Sequence, residues 1–168
     1  DDKKPHVVFV VGLPHYSPEL TMPVFAKELE RFGFRTTIVM GEGNSEKKTK
    51  DVLPGIEAAL KDADVAIFFM RFLVLPDEEW KPIEDYLKLG KPVIGLRTAN
   101  HAFKYKSGHP RFNWNDDFGR RVLGTPYVVH QAGTTECSVV PKYKKHPIMS
   151  HVTKTNWTSP GTLYLTRL

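Results

Sequence analysis

The stretch Lys91-Pro92-Val93-Ile94-Gly95-Leu96-Arg97-Thr98-Ala99-Asn100-His101-Ala102-Phe103 decides how the chain is read. A short apolar run entered through Gly90 and Pro92 predicts a buried strand, and the burst of polar residues after Gly95 marks where the backbone leaves the sheet. In open parallel α/β sheets, ligands lie in the crevice outside the carboxyl ends of the strands, where loops aim side chains that the sheet holds still. Arg97, Thr98, Asn100 and His101 are therefore the first candidates for ligand contact.

Three further strands are predicted upstream. His6–Gly12 is an apolar run of the kind buried on both faces, Arg35–Met40 is β-branched, and Ala63–Met70 is apolar with Arg71 at its carboxyl end. Helical spacing fills the intervals. Ser17-Pro18 reads as a cap and first turn before a stripe of Leu20, Val24, Leu29 and Phe32. Asp51 reads as a cap before Leu53, Ile56, Leu60 and Ala63. Asp77-Glu78-Glu79 opens a helix that turns Trp80, Ile83 and Leu87 inward and stops at Gly90. Strands alternating with helices at this spacing predict a right-handed, doubly wound, mostly parallel sheet with helices on both faces.

Beyond His101 the pattern weakens. Lys104–Trp114 reads as a long loop, and Asn115-Asp116-Asp117 as the cap of a short helix carrying Phe118, Val122 and Leu123. Tyr127–His130 and Glu136–Val140 read as strands, antiparallel or at the sheet edge, and Thr162–Leu165 as one more.

At 168 residues, 40% hydrophobic and 26% charged, the expectation is one domain over 1–168. No apolar run approaches the ~18–20 residues of a membrane span. The net charge of +5 is spread thinly, with clusters only at Lys47–Lys50 and Lys142–Lys145, so solvated surface rather than a nucleic-acid partner is expected. The lone Cys137 excludes an internal disulfide. The opening Asp1-Asp2-Lys3-Lys4-Pro5 fits a chain trimmed after a signal peptide, which makes a periplasmic or extracellular location the expectation and the cytoplasm the alternative.

Taken in order, Pro92–Phe103, Trp114, Phe118-Gly119, Val122-Leu123-Gly124, Tyr127, His130 and His146-Pro147-Ile148 resemble the trehalose-utilisation (ThuA-like) family, part of the class I glutamine-amidotransferase-like group of flavodoxin-type folds. The resemblance implies strand order 2-1-3-4-5 and a link to carbohydrate. That order has its switch point between strands one and three, which brings His15, Tyr16 and Arg71 to the same crevice. Relatives that hydrolyse glutamine carry Gly-X-Cys-X-Gly at the strand-to-helix elbow, where a thiolate is exposed and stabilised. Here Gly95-Leu96-Arg97-Thr98-Ala99 puts Arg97 at that place, where ThuA-like chains usually have His. A guanidinium is no nucleophile; it is a permanent cation whose planar fork suits carboxylate, phosphate or sugar hydroxyls. No His-X-Glu follows residue 101, and Cys137 among apolar neighbours reads as an inert core thiol, so amidotransferase chemistry is not expected.

Each candidate has a plainer alternative. Arg97 either meets a ligand or pairs with Glu42 or Asp116. His101 either donates to a ligand and acts as acid or base, since imidazole exchanges a proton near neutral pH, or packs its loop. Trp114 and Phe112 either stack on a sugar ring or anchor the loop. His15, His101 and His130 lack ligand spacing, so no metal is expected. Gly12 and Gly95 form no phosphate-cradling Gly-X-Gly-X-X-Gly loop, so no dinucleotide or flavin cofactor is expected. The expected function is binding of a small polyhydroxylated or anionic ligand. A carbohydrate-active enzyme using His101 as acid/base and a non-catalytic interaction domain are the alternatives, with a homodimer left open.

Overall fold

In the computed structural model, which describes residues 4–43 and 51–166, the chain divides into two compact units, one running to Pro126 and the other Tyr127–Arg167. The Lys47–Lys50 cluster and the turn-like stretch from Asn44 lie outside the described residues.

The first unit is built on β1 (His6–Gly12), β2 (Arg35–Met40), β3 (Val65–Met70) and β4 (Val93–Gly95), all parallel, in the order β2-β1-β3-β4. This is the first four-strand portion of the expected 2-1-3-4-5 order; no fifth strand joins this sheet among the described residues. Every residue of β1 is buried, as the apolar run 7–11 requires of a central strand, with the buried His6 ring bonded to Thr37 at 2.8 Å. β4 departs from the expectation of a buried strand. Ile94 and Gly95 are exposed, because β4 is the edge and has only β3 beside it.

Two apolar layers flank the sheet. Val8, Val10, Phe68 and Met70 pack on one side against α2 (Ile56–Lys61), α3 (Asp77–Lys88) and Phe118. Phe9, Val11, Ile67 and Phe69 pack on the other against Met22 and Ala26 of α1 (Pro18–Arg31). Of the expected α1 stripe Leu29 does pack on this layer, but the rest is corrected: Leu20 is 68% and Phe32 78% exposed, Val24 is also exposed, and the buried residues are Pro18, Met22 and Ala26. The small Ala26 and unbranched Met22 let the helix approach a sheet face already filled by Phe9 and Phe69. The α2 stripe holds, with Leu53, Ile56, Leu60 and Ala63 all buried, but Gly55 is the residue that caps it, and Asp51 instead accepts the Val74 amide at 2.9 Å.

The segment after His101 is tied down by side chains. The Asn115 amide bridges the backbone of Tyr105, donating to its carbonyl at 3.0 Å and accepting its N–H at 2.8 Å. Asn115 therefore pins the loop rather than capping α4 (Trp114–Asp117), which Asn113 precedes and a π-helical turn, Phe118–Val122, extends.

In the second unit, β5 (Tyr127–Gln131) pairs antiparallel with β8 (Leu163–Thr166), and β6 (Thr135–Ser138) with β7 (Asn156–Ser159). The three strands expected here exist, but the first two pair with later segments and not with each other. Cys137 faces Trp157 across β6 and β7 and is half-buried rather than a core thiol. No helix of the described residues is long and apolar enough to cross a membrane.

Candidate functional site

Four non-glycine residues have positive φ among the described residues: Tyr16 (69°), Ser17 (45°), Phe72 (55°) and Arg97 (43°). All four lie just past the carboxyl ends of β1, β3 and β4, three neighbouring strands. The left-handed region costs an L-residue roughly 1–2 kcal/mol, and bulky side chains tolerate it worst. Strain of this kind persists where the surrounding structure enforces it, and it gathers at functional sites.

Arg97 occupies the elbow. Leu96 is still extended and donates its N–H to the Phe68 carbonyl at 2.8 Å; Arg97 then turns left-handed and starts a 3-10 turn, Arg97–His101. The guanidinium is exposed and lies 4.6 Å from the centre of the Tyr16 ring. Tyr16 in turn stacks on Phe69 of β3 at 6.2 Å and meets the His15 ring edge-on at 6.1 Å. His15, Tyr16 and Arg97, far apart in sequence, thus form one group. Of the two acidic residues considered as partners for Arg97, Asp116 pairs with Arg120 at 3.5 Å.

A second group forms around Phe72. The Arg71 guanidinium carbon lies 4.3 Å and the Lys104 ammonium 5.0 Å from the centre of that ring, and the His101 ring is 5.1 Å away. Among the described residues, neither Arg71 nor Lys104 has a carboxylate within ion-pair distance. His101 is buried, and its Nδ1 donates to Asn100 Oδ1 at 2.9 Å. An amide oxygen only accepts, so that contact is met by a proton on Nδ1.

Thr98 and Asn100 serve the framework. The fully buried Thr98 hydroxyl donates to the Met70 carbonyl at 2.8 Å and fastens the elbow to the end of β3, while Asn100 orients His101. Trp114 packs on Trp80 at 4.7 Å, which anchors the loop. Phe72, Phe69 and Lys104 were not singled out from the sequence. Nothing local marks a phenylalanine for a left-handed turn, and Lys104 reaches Phe72 only through the Leu73–Phe103 pairing, which joins segments distant in sequence.

Fold and strand ends together define a class: an open parallel α/β domain with flavodoxin-like strand order through four strands, carrying aromatic and cationic side chains beyond the carboxyl ends. No family model matches the sequence, and neither does any curated protein. A solved structure does match: a ThuA-like protein from Parabacteroides merdae, 14% identical, with a TM-score of 0.62, the match covering 96% of this chain and 63% of that one. The chain has the fold of that ThuA-like protein, and the resemblance read from the sequence is borne out at the level of fold. It spans about 63% of that relative's length.

Proposed function

We propose that residues 1–168 are a ThuA-like domain that binds a small polyhydroxylated or anionic ligand beyond the carboxyl ends of β1, β3 and β4, without a cysteine nucleophile. The observation that carries this reading is that the four left-handed non-glycine residues among the described residues gather at these strand ends, where Arg97 lies on Tyr16 and both Arg71 and Lys104 on Phe72. Arg97 and Arg71 supply fixed positive charge and forked donors, Tyr16 a ring face with a hydroxyl, and His15 and His101 further polar contacts. The elbow holds a guanidinium where amidotransferases hold sulfur, which argues for binding over acyl transfer. A carbohydrate as ligand rests on the family resemblance alone.

Catalysis by His101 is the second reading, favoured by the Asn100 contact that sets its tautomer. A thermal-shift screen of neutral sugars, sugar acids and sugar phosphates tests the first reading: a stabilising compound should lose its effect in Arg97→Ala. If no compound shifts the wild-type protein, binding at these strand ends is wrong. Turnover that disappears in His101→Ala would move the assignment to an enzyme.

A further inference from the structure

We infer that Arg71 and Lys104, set on the Phe72 ring, form a clamp for an oxyanion, a phosphate or carboxylate group carried by the ligand. The inference rests on the reading that ligand binds at these strand ends, and adds both its chemical class and Lys104 as a binding residue.

The geometry is fixed by backbone bonds. The Arg71 N–H donates to the Gly12 carbonyl at 3.0 Å, Phe72 to His101 at 3.2 Å, Leu73 to Ala102 at 2.7 Å, and Lys104 back to Leu73 at 2.9 Å. The first bond ties the end of β3 to β1, the other three lock it to the segment after the elbow, and together they hold Phe72 at a φ of 55°, a conformation a phenylalanine does not adopt unforced. The result is one ring approached by two cations from different segments. Both lie within 5.0 Å of one ring centre, so they are no more than about 10 Å apart, a gap that the flexible lysine stem closes around one oxyanion through charge-assisted hydrogen bonds of about 2.8 Å.

Stability alone does not account for this arrangement. Two like charges on one ring repel, and each cation–ring contact is worth only ~0.5–1 kcal/mol at an exposed site. A carboxylate between them would satisfy both, yet none of the described residues supplies it. An oxyanion from outside fits that place, and the ring keeps the two cations at the surface to receive it.

Calorimetric titration with four probes tests the clamp: glucose, glucose 6-phosphate, glucuronate and inorganic phosphate, against wild type, Lys104→Ala, Lys104→Arg and Arg97→Ala. Lys104 is exposed, so its replacement leaves the fold intact, which circular dichroism checks. At least one charged probe should bind ten-fold or more tighter than glucose, weaken as salt is raised, lose about ten-fold in Lys104→Ala, and recover in Lys104→Arg. Which charged probe binds best tells a phosphate ester from a carboxylate or free phosphate. Glucose binding as tightly as the charged probes and lost in Arg97→Ala, or anion affinity indifferent to Lys104→Ala, overturns the clamp while leaving ligand binding at the strand ends in place. Failure of all four probes to bind overturns both.

Discussion

Replacing Arg97 by glycine and, in parallel, by alanine separates what the side chain does from what the backbone endures. Its φ is 43° and its side chain is exposed, so neither replacement empties the core, and both lose the contact with Tyr16. That contact is worth about 0.5–1 kcal/mol. Alanine keeps a Cβ in the left-handed region, at roughly 1–2 kcal/mol. Glycine removes that cost but returns about 0.5–1 kcal/mol through the greater freedom of its unfolded chain. Arg97→Gly should therefore be more stable than Arg97→Ala by about 1 kcal/mol, a difference of roughly 2–4 °C in Tm for a chain of this size. Against wild type, Arg97→Ala should fall by the lost ring contact and Arg97→Gly should stay near level. Calorimetric melting of the three proteins, with urea unfolding as a check, reads the order. Alanine equal to or above glycine would refute the left-handed elbow, and with it the turn that brings this guanidinium to the strand ends. A loss above about 3 kcal/mol in both variants would show that the guanidinium is structural.

Three further predictions concern the frame around the site. A Cβ at Gly119 would lie 2.5 Å from the Asn100 carbonyl oxygen, so Gly119→Ala should cost about 1–3 kcal/mol in urea unfolding and shift the NMR resonances of His101. The Tyr105 hydroxyl is buried beside Arg111 without an aligned hydrogen bond, so Tyr105→Phe should leave stability unchanged or raise it. Burial raises the Tyr105 pKa, hence the folded state keeps a proton that the unfolded state loses near pH ~10. That contribution to stability is complete below pH ~10 and declines above it, and the decline should flatten in Tyr105→Phe, measured by melting in alkaline buffers. Arg35 beside Asp62 holds that carboxyl below its usual range. Its contribution is therefore present above the unfolded carboxylate pKa of about 3.9 and lost as pH falls through the lower folded value; Arg35→Gln should raise the Asp62 pKa in an NMR titration.

The four parallel strands were legible because their periodicity is carried by the residues themselves: His6–Gly12 must be central, since nothing but two covered faces accommodates seven consecutive buried residues. The inner face of α1 was not. Leu20, Val24 and Phe32 have the better apolar spacing, but a sheet face occupied by Phe9 and Phe69 selects neighbours by volume rather than hydropathy, so Met22 and Ala26 win. The elbow was legible from Gly95 and the polar burst after it, and Arg97, His15 and Tyr16 do come together. Thr98 and Asn100 read the same way from sequence and yet face the protein, because spacing along a 3-10 turn does not reveal that the end of β3 supplies a carbonyl for one and His101 a ring nitrogen for the other. Lys104 escaped notice since its place depends on one pairing, Leu73 with Phe103, between segments thirty residues apart.

The placement of glycine argues that the side chains at the strand ends are there for use. The chain meets the need for positive φ with glycine at Gly33, Gly55 and Gly90, at helix ends where a Cβ would meet open space and only the backbone matters. Past β1, β3 and β4 the same conformational need is met by Tyr16, Ser17, Phe72 and Arg97. At roughly 1–2 kcal/mol each, less the ~0.5–1 kcal/mol that glycine costs through its freer unfolded chain, these four forgo on the order of 2–3 kcal/mol, against the 5–15 kcal/mol that typically separates a folded domain from its unfolded chain. A guanidinium and two aromatic rings stand where glycine would relieve the strain, the pattern expected of side chains kept for the proposed ligand. Ring and cation contacts of about 0.5–1 kcal/mol each roughly offset that strain, and a ligand bound at the proposed site would add to the balance by meeting the charge of the stacked cations.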